Sequence, residues 1–124
     1  MAGLDAPLVL VVEDGPYIGA MVRTALEDDG YRVLLEAAGG AGIDDAREQR
    51  PAAIILDLML PDLDGQDVLR ALKADPATAD IPVIVMSAVA GVLKPEERQL
   101  VQTVIRKPFE LEDLLTAVQR ATGQ

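Results

Sequence analysis

Five side chains at four places in the chain have the types to act together as one site. Glu13 and Asp14 follow the run "LVLVV", Asp57 follows "AAIIL", Ser87 follows "PVIVM" and Lys107 follows "TVIR". Carboxylates set side by side repel and raise one another's pKa unless a cation intervenes. Lys107 is one compensating charge and a divalent ion is the other. With no cysteine and no histidine, any metal must be held by oxygen, which points to magnesium or calcium. Mg2+ binds through a few carboxylate and carbonyl oxygens, keeps several waters and bridges to phosphoryl groups. Asp14 and Asp57 read as direct ligands, with Glu13 acting through water. An aspartate can attack phosphorus to form an acyl phosphate, a reaction that rests mostly on positioning and charge neutralisation. In that chemistry Asp57 is the nucleophile, Lys107 pairs with one phosphoryl oxygen and Ser87 donates a hydrogen bond to another. Pro108 shapes the turn that aims Lys107, and a cis Lys107–Pro108 bond suits such a turn.

Taken singly, each residue has a plainer reading. Asp14, beside Gly15 and Pro16, can cap a helix. Asp57 can be a loop acid, and "PDLDG" is a good turn in any protein. Ser87 can be incidental, Lys107 a surface cation and Pro108 a helix-start residue. Only the combination is specific, and it requires a fold that brings four strand ends together.

The chain supplies such a fold. Apolar runs at Leu8–Val12, Tyr31–Glu36, Ala52–Leu56, Pro82–Met86 and Thr103–Arg106 are mostly too uniformly apolar for half-exposed strands and read as parallel strands covered on both faces. Between them Ile18, Met21, Val22, Ala25 and Leu26 follow helical spacing, with Pro16 at the start and Gly30 placed to end the helix. Val68, Leu69 and Leu72 repeat the pattern, as do Leu111, Leu114, Leu115 and Val118. "GGAGIDDAREQR" is weaker, with a helix expected only over Ile43–Gln49, and "LKPEERQLVQ" is weaker still. The expected architecture is a doubly wound α/β sheet, (βα)5, with strand order 2-1-3-4-5. Ligands of such sheets bind beyond the carboxyl ends of the strands, where the five side chains lie.

Length and charge bound the rest. The 124 residues, half of them apolar, suffice for one domain and are too few for two. A net charge of −10, from 11 basic and 21 acidic residues without a basic run, argues against direct binding to nucleic acid or an anionic membrane. The N-terminal "MAGLDAPLVLVVED" has no basic n-region, and no apolar stretch is long enough to span a bilayer. A cytoplasmic location is the default expectation.

"VVED", "LDLMLPDLDG", "VIVMSA" and "KPF", in this order and at these separations, resemble the receiver domain of two-component response regulators over essentially the whole chain. The resemblance implies a flavodoxin-like (βα)5 fold and a single receiver domain over residues 1–124; no output domain is expected within this sequence, and a stand-alone receiver and a piece of a larger regulator or hybrid kinase both stay open. It implies Mg2+ held by Glu13, Asp14, Asp57 and the main-chain carbonyl of Met59, and phosphoryl transfer to Asp57 from the phosphohistidine of a sensor histidine kinase or a histidine phosphotransfer protein. A downstream protein, and a phosphorylation-dependent dimer, belong to the same expectation. Gly65, opening the third helix, also matches. A receiver that serves only as an interaction module is the alternative, and the intact acidic set argues against it. A haloacid-dehalogenase-like phosphatase would need a second aspartate where Met59 stands, and a dinucleotide loop at "AAGGAG" would need glycine at Asp45.

Two departures from the family pattern concern readout. An aromatic switch residue is usual three positions before the lysine, where this chain has Val104. The interval from Ser87 to Lys107 is also short, and the Gly-Ala turn before the fifth strand is missing. In addition, the residues two beyond Asp57 and Ser87, namely Met59 and Val89, are apolar and cannot orient water, so slow hydrolysis of the acyl phosphate is expected. A β-branched valine has one stiff torsion and no ring, so it cannot reproduce an aromatic rotation. Gly91 and Pro95 confine the fourth helix to a short segment. Phosphorylation is therefore expected to be read as a change in order of residues Ala88 to Gln102. Hydrogen exchange with and without a phosphoryl mimic checks this: protection should differ across that segment, and equal protection in both states would sink the idea.

Overall fold

The computed structural model describes residues 3, 5–89 and 91–123. Strands and helices alternate as β1 (Leu8–Val12), α1 (Pro16–Asp28), β2 (Arg32–Glu36), α2 (Gly39–Gln49), β3 (Ala53–Asp57), α3 (Gly65–Ala74), β4 (Val83–Ser87), α4 (Pro95–Arg98), β5 (Thr103–Arg106) and α5 (Leu111–Thr122). All strand pairs are parallel, in the order β2-β1-β3-β4-β5. The flavodoxin-like (βα)5 expectation holds, with β3 and β4 each ending one residue later than expected, so that Asp57 and Ser87 are the last strand residues.

Side-chain alternation along each strand divides the core in two. Leu10, Val12, Ile54, Leu56, Val83 and Val85 point to one face and pack with Val68, Leu69 and Leu72 of α3 and Ala46 of α2. Val9, Val11, Ile55, Ile84, Met86 and Ile105 point to the other and pack with Val22 and Leu26 of α1 and Leu114 and Val118 of α5. Because β3 and β4 are buried along their whole length, their carboxyl ends are fixed in height and register. Among the described residues no helix is long and apolar enough to cross a membrane.

The second helix differs from expectation. It begins at Gly39 rather than Ile43. Glycine-rich sequence has poor helix propensity, so the first turn was illegible locally. Two distant contacts make it form. The Asp62 carboxylate accepts the Gly39 and Gly40 amides at 2.7 and 2.9 Å. The glycines also permit close packing: a Cβ on Gly39 would stand 2.7 Å from Val68, and one on Gly42 2.8 Å from Val12.

The fourth helix is short, as expected, at four residues. Its neighbourhood is nevertheless fastened at several points. Buried Glu97 accepts the Lys94 amide at 2.9 Å and pairs with Arg70 of α3. Val101 is buried with the α3 side of the core, and Gln102 N–H donates to the Val83 carbonyl at 2.8 Å. Within the segment 88–102, Ala90 lies outside the described residues.

Candidate functional site

Each site residue leaves the carboxyl end of a strand whose body is held in the core. Glu13 follows β1 and its amide donates to the Glu36 carbonyl at 2.9 Å, which extends the β1–β2 ladder by a residue. Asp57 closes β3. Lys107 follows β5 and its amide donates to the Ser87 carbonyl at 2.8 Å. The peptide bond after it, Lys107–Pro108, is cis, as expected.

These backbone positions bring the charges together. Lys107 Nζ donates to Glu13 Oε1 at 2.8 Å and to Asp57 Oδ2 at 3.0 Å. The other Asp57 oxygen, Oδ1, accepts the Met59 amide at 3.0 Å. Glu13 and Asp57 are buried, whereas Asp14 is exposed, yet one carboxylate oxygen from each of the three lies within 4.8 Å of the others. Asp14 is not used as a cap: α1 has Gly15 at its N-cap and no side-chain capping bond.

Gly65 closes the floor of the site. Its amide donates to the Leu58 carbonyl at 2.9 Å, and a Cβ there would lie 2.3 Å from Leu58 Cα and 2.9 Å from the Asp57 carbonyl oxygen. Any larger residue would have to displace the backbone that carries Asp57. Met59 and Val89 stand at the mouth, 63% and 52% exposed, and both line a recess of about 250 Å3 with Asp64 and Gln66.

The Ser87 side chain does not join this network. Its hydroxyl donates to the Val89 carbonyl at 2.8 Å and accepts the Val89 amide at 3.1 Å. Val104 is 38% exposed and lines, with Ser87, Val89, Val92 and Leu58, a cavity of about 300 Å3. Sequence reasoning gave no part to Asp62 or Glu97: the Gly39 and Gly40 amides and Arg70 that engage them lie more than 20 residues away, and only the Lys94 amide, three residues before Glu97, is a local partner. Glu36, at the end of β2, is engaged by Asp45, and that hydrogen bond, together with burial, raises its pKa.

The electrostatics follow from burial and proximity. Burial pushes the Glu13 carboxyl up to about 7, helped by its hydrogen bond with Asp57 and opposed by Lys107. Burial acts on Asp57 in the same sense, but the hydrogen bonds of Glu13, the Met59 amide and Lys107 outweigh it and hold this carboxyl below its ordinary value. Burial would lower the Lys107 pKa, and the two carboxylates reverse that and raise it. The two carboxyls therefore titrate as a coupled pair in which Glu13 is the raised member and Asp57 the lowered one. Glu13 Oε2 is buried and has no donor facing it among the described residues. That atom needs either a proton or a cation.

Comparison with known proteins agrees with this geometry. Residues 9–119 match the family described as "Response regulator receiver domain". "Protein PilH" of Pseudomonas aeruginosa is 31% identical over 117 residues, covering 89% of this chain and 93% of that protein. "Probable transcriptional regulatory protein TcrX" of Mycobacterium tuberculosis is 37% identical over 123 residues, 93% of this chain and 50% of that protein. The chain therefore spans about half the length of relatives such as TcrX. Among solved structures, the receiver domain of sensor histidine kinase PA1611 from P. aeruginosa, described with a magnesium ion coordinated in its active site cleft, superposes with a TM-score of 0.83 at 31% identity, over 96% of this chain and 99% of that one.

The raised Glu13 pKa has a measurable consequence in the metal-free protein. Glu13 has a folded pKa raised to about 7, so its contribution to stability is fully present below its unfolded value and is lost as pH rises through 7. Depressed Asp57 acts only at the acid end, raised Lys107 only at the alkaline end, and the chain has no histidine to titrate between. The melting temperature should fall from pH 5 to pH 8. Glu13→Gln, which carries a permanent neutral amide, should flatten that fall, leaving only the smaller same-sign slope of Glu36. Thermal melts in chelator across this range check it; parallel pH profiles for the two proteins would refute the assignment.

Proposed function

The chain belongs to the response regulator receiver family, and on that premise we propose that it accepts a phosphoryl group on Asp57 from the phosphohistidine of a sensor histidine kinase or a histidine phosphotransfer protein. The observation that carries this reading is the bridge of Lys107 between Glu13 and Asp57, with Asp14 adding a third carboxylate within 4.8 Å.

The residues suit Mg2+. The donors are hard oxygens, they are too crowded to be ionised together without a cation, and Glu13 Oε2 is buried without a donor among the described residues. Glu13, Asp14, Asp57 and the Met59 carbonyl would hold the ion, and when bound it neutralises charge on the phosphoryl oxygens. A carboxylate oxygen of Asp57 forms the bond to phosphorus while the phosphorus–nitrogen bond to the donor imidazole breaks. The electron pair leaves on the ring nitrogen, which takes up a proton. Lys107, whose ammonium touches Asp57 already, keeps a positive charge beside the oxygens that arrive.

Ser87 would then exchange Val89 for a phosphoryl oxygen. Its hydroxyl bonds the Val89 backbone in both directions, so this exchange frees one amide and one carbonyl in the turn after β4. The cavity of about 300 Å3 beside Val104 gives the released turn somewhere to go without an aromatic rotation. A downstream protein that reads the 88–102 segment, and a phosphorylation-dependent dimer, fit this picture. Turnover is set at the mouth, where Met59 and Val89 offer no side-chain group to direct water in line.

Asp57→Asn should abolish labelling by a small acyl-phosphate donor, and chelation should do the same to the parent protein. Mass spectrometry decides it, since full labelling of the variant would relocate the acceptor. Met59→Asn should shorten the lifetime of the phosphorylated protein several-fold by giving the attacking water a partner. Decay followed after removal of the donor checks that, and an unchanged rate would exclude water orientation as the limit.

A further inference from the structure

Asp62 lies outside the acidic cluster, in an exposed loop, and its two carboxylate oxygens are both engaged by another element of the fold. Oδ1 accepts the Gly39 amide at 2.7 Å and Oδ2 the Gly40 amide at 2.9 Å. The first amides of a helix have no intrahelical acceptor and are ordinarily met by the side chain at the N-cap. Here the N-cap is Ala38, which has no side-chain oxygen, and no local capping bond forms. The cap comes from 22 and 23 residues further along the chain. An anionic acceptor at a helix start gains from charge assistance and from the helix dipole. The contact holds Asp62 below its ordinary pKa, with the Gly40 and Gly39 amides as the main causes.

The loop that this contact tethers runs from the end of β3 to α3 and contains Met59. Gly65 bonds the Leu58 carbonyl and Asp57 Oδ1 accepts the Met59 amide, both within the loop and its two ends, while Leu58 is anchored to β4 by its amide on the Met86 carbonyl at 3.3 Å and by burial in the core, against which Leu60 also packs. Residues 61–64 are exposed, so core packing does not hold them. Among the described residues, Asp62 is the one side chain of residues 58–64 that hydrogen-bonds another helix or strand.

We propose that Asp62 is a positioning residue of the phosphoacceptor site: by clasping the first turn of α2 it holds the 58–64 loop so that the Met59 carbonyl stays directed at the Glu13–Asp14–Asp57 cluster. This rests on the reading above that the Met59 carbonyl is a metal ligand. Groups that orient a ligand without touching the metal commonly matter to metal affinity by about 10–100-fold. Coupling of this kind is reciprocal, so whatever the clasp adds to Mg2+ affinity, Mg2+ adds to the clasp.

Two measurements test it. Mg2+ titration by calorimetry should give Asp62→Ala an affinity roughly tenfold or more below the parent, with Asp62→Asn, which keeps one acceptor oxygen, in between. In the unmutated protein, Mg2+ should slow hydrogen exchange of the Gly39 and Gly40 amides by a larger factor than it slows that of Val118 in α5. A purely structural cap predicts equal factors, because global stabilisation acts on both helices alike. Equal affinities in parent and Asp62→Ala, or equal slowing of the two helices, would overturn the proposal. Should Asp62→Ala fail to fold, the exchange measurement decides alone. A parent protein with no Mg2+ affinity would overturn the phosphoacceptor reading along with this one, whereas a parent that binds with an indifferent Asp62→Ala removes only the clasp.

Discussion

Two carboxylates buried at the ends of neighbouring parallel strands set the condition that the rest of the molecule meets. Glu13 follows β1 and Asp57 ends β3, the central pair of the sheet. Within 4.8 Å of one another, two such charges repel by roughly 3.5 kcal/mol or more at an effective dielectric of about 20. Burial adds a cost for each charge separately. The arrangement persists because the Lys107 ammonium stands between them and bonds both. Lys107 comes from β5, two strands beyond β3, a distance of about 10 Å at the usual strand spacing. Its side chain and those of Glu13 and Asp57 meet over the strand ends, so two acids and a lysine from β1, β3 and β5 form one device.

Such a device works only if the strand ends do not move. The whole of β3 and β4 is buried, and two separate clusters of apolar side chains grip the sheet from either face. Polar groups are concentrated where the strands stop. The burial that gives this rigidity also prevents the acids from being solvated, so the same packing that fixes the site makes it depend on a cation. Core and chemistry are linked through desolvation rather than merely adjacent.

What the sequence disclosed and what it hid follow from the range of the interactions. The strands, the order of elements and the five charged or hydroxyl residues at strand ends were legible, since apolar runs and the residues that follow them are local patterns. The first turn of α2 was hidden because its glycines read as loop, and the contacts that make them helical come from Asp62, Val12 and Val68. Glu97 drew no reading from the sequence, and its pairing with Arg70, 27 residues away, has no local signature. The engagement of the Ser87 hydroxyl with the Val89 backbone was not legible, because it depends on the course of the turn after β4.

The route of any signal from this site is narrowed by the same contacts. The segment after β4 is fixed at its far end by Glu97 with Arg70, by Val101 in the core and by Gln102 on Val83. At its near end it is held by Ser87 through two hydrogen bonds to one residue, Val89. An event at Asp57 that draws the Ser87 hydroxyl away undoes both near-end bonds at once and leaves the far end in place. Val89, already half exposed, borders a cavity that a valine at position 104 leaves unfilled. Release at that near end therefore leaves the anchors at Glu97, Val101 and Gln102 in place, and with valine rather than an aromatic ring at position 104 the near end hangs on hydrogen bonds that originate on Ser87.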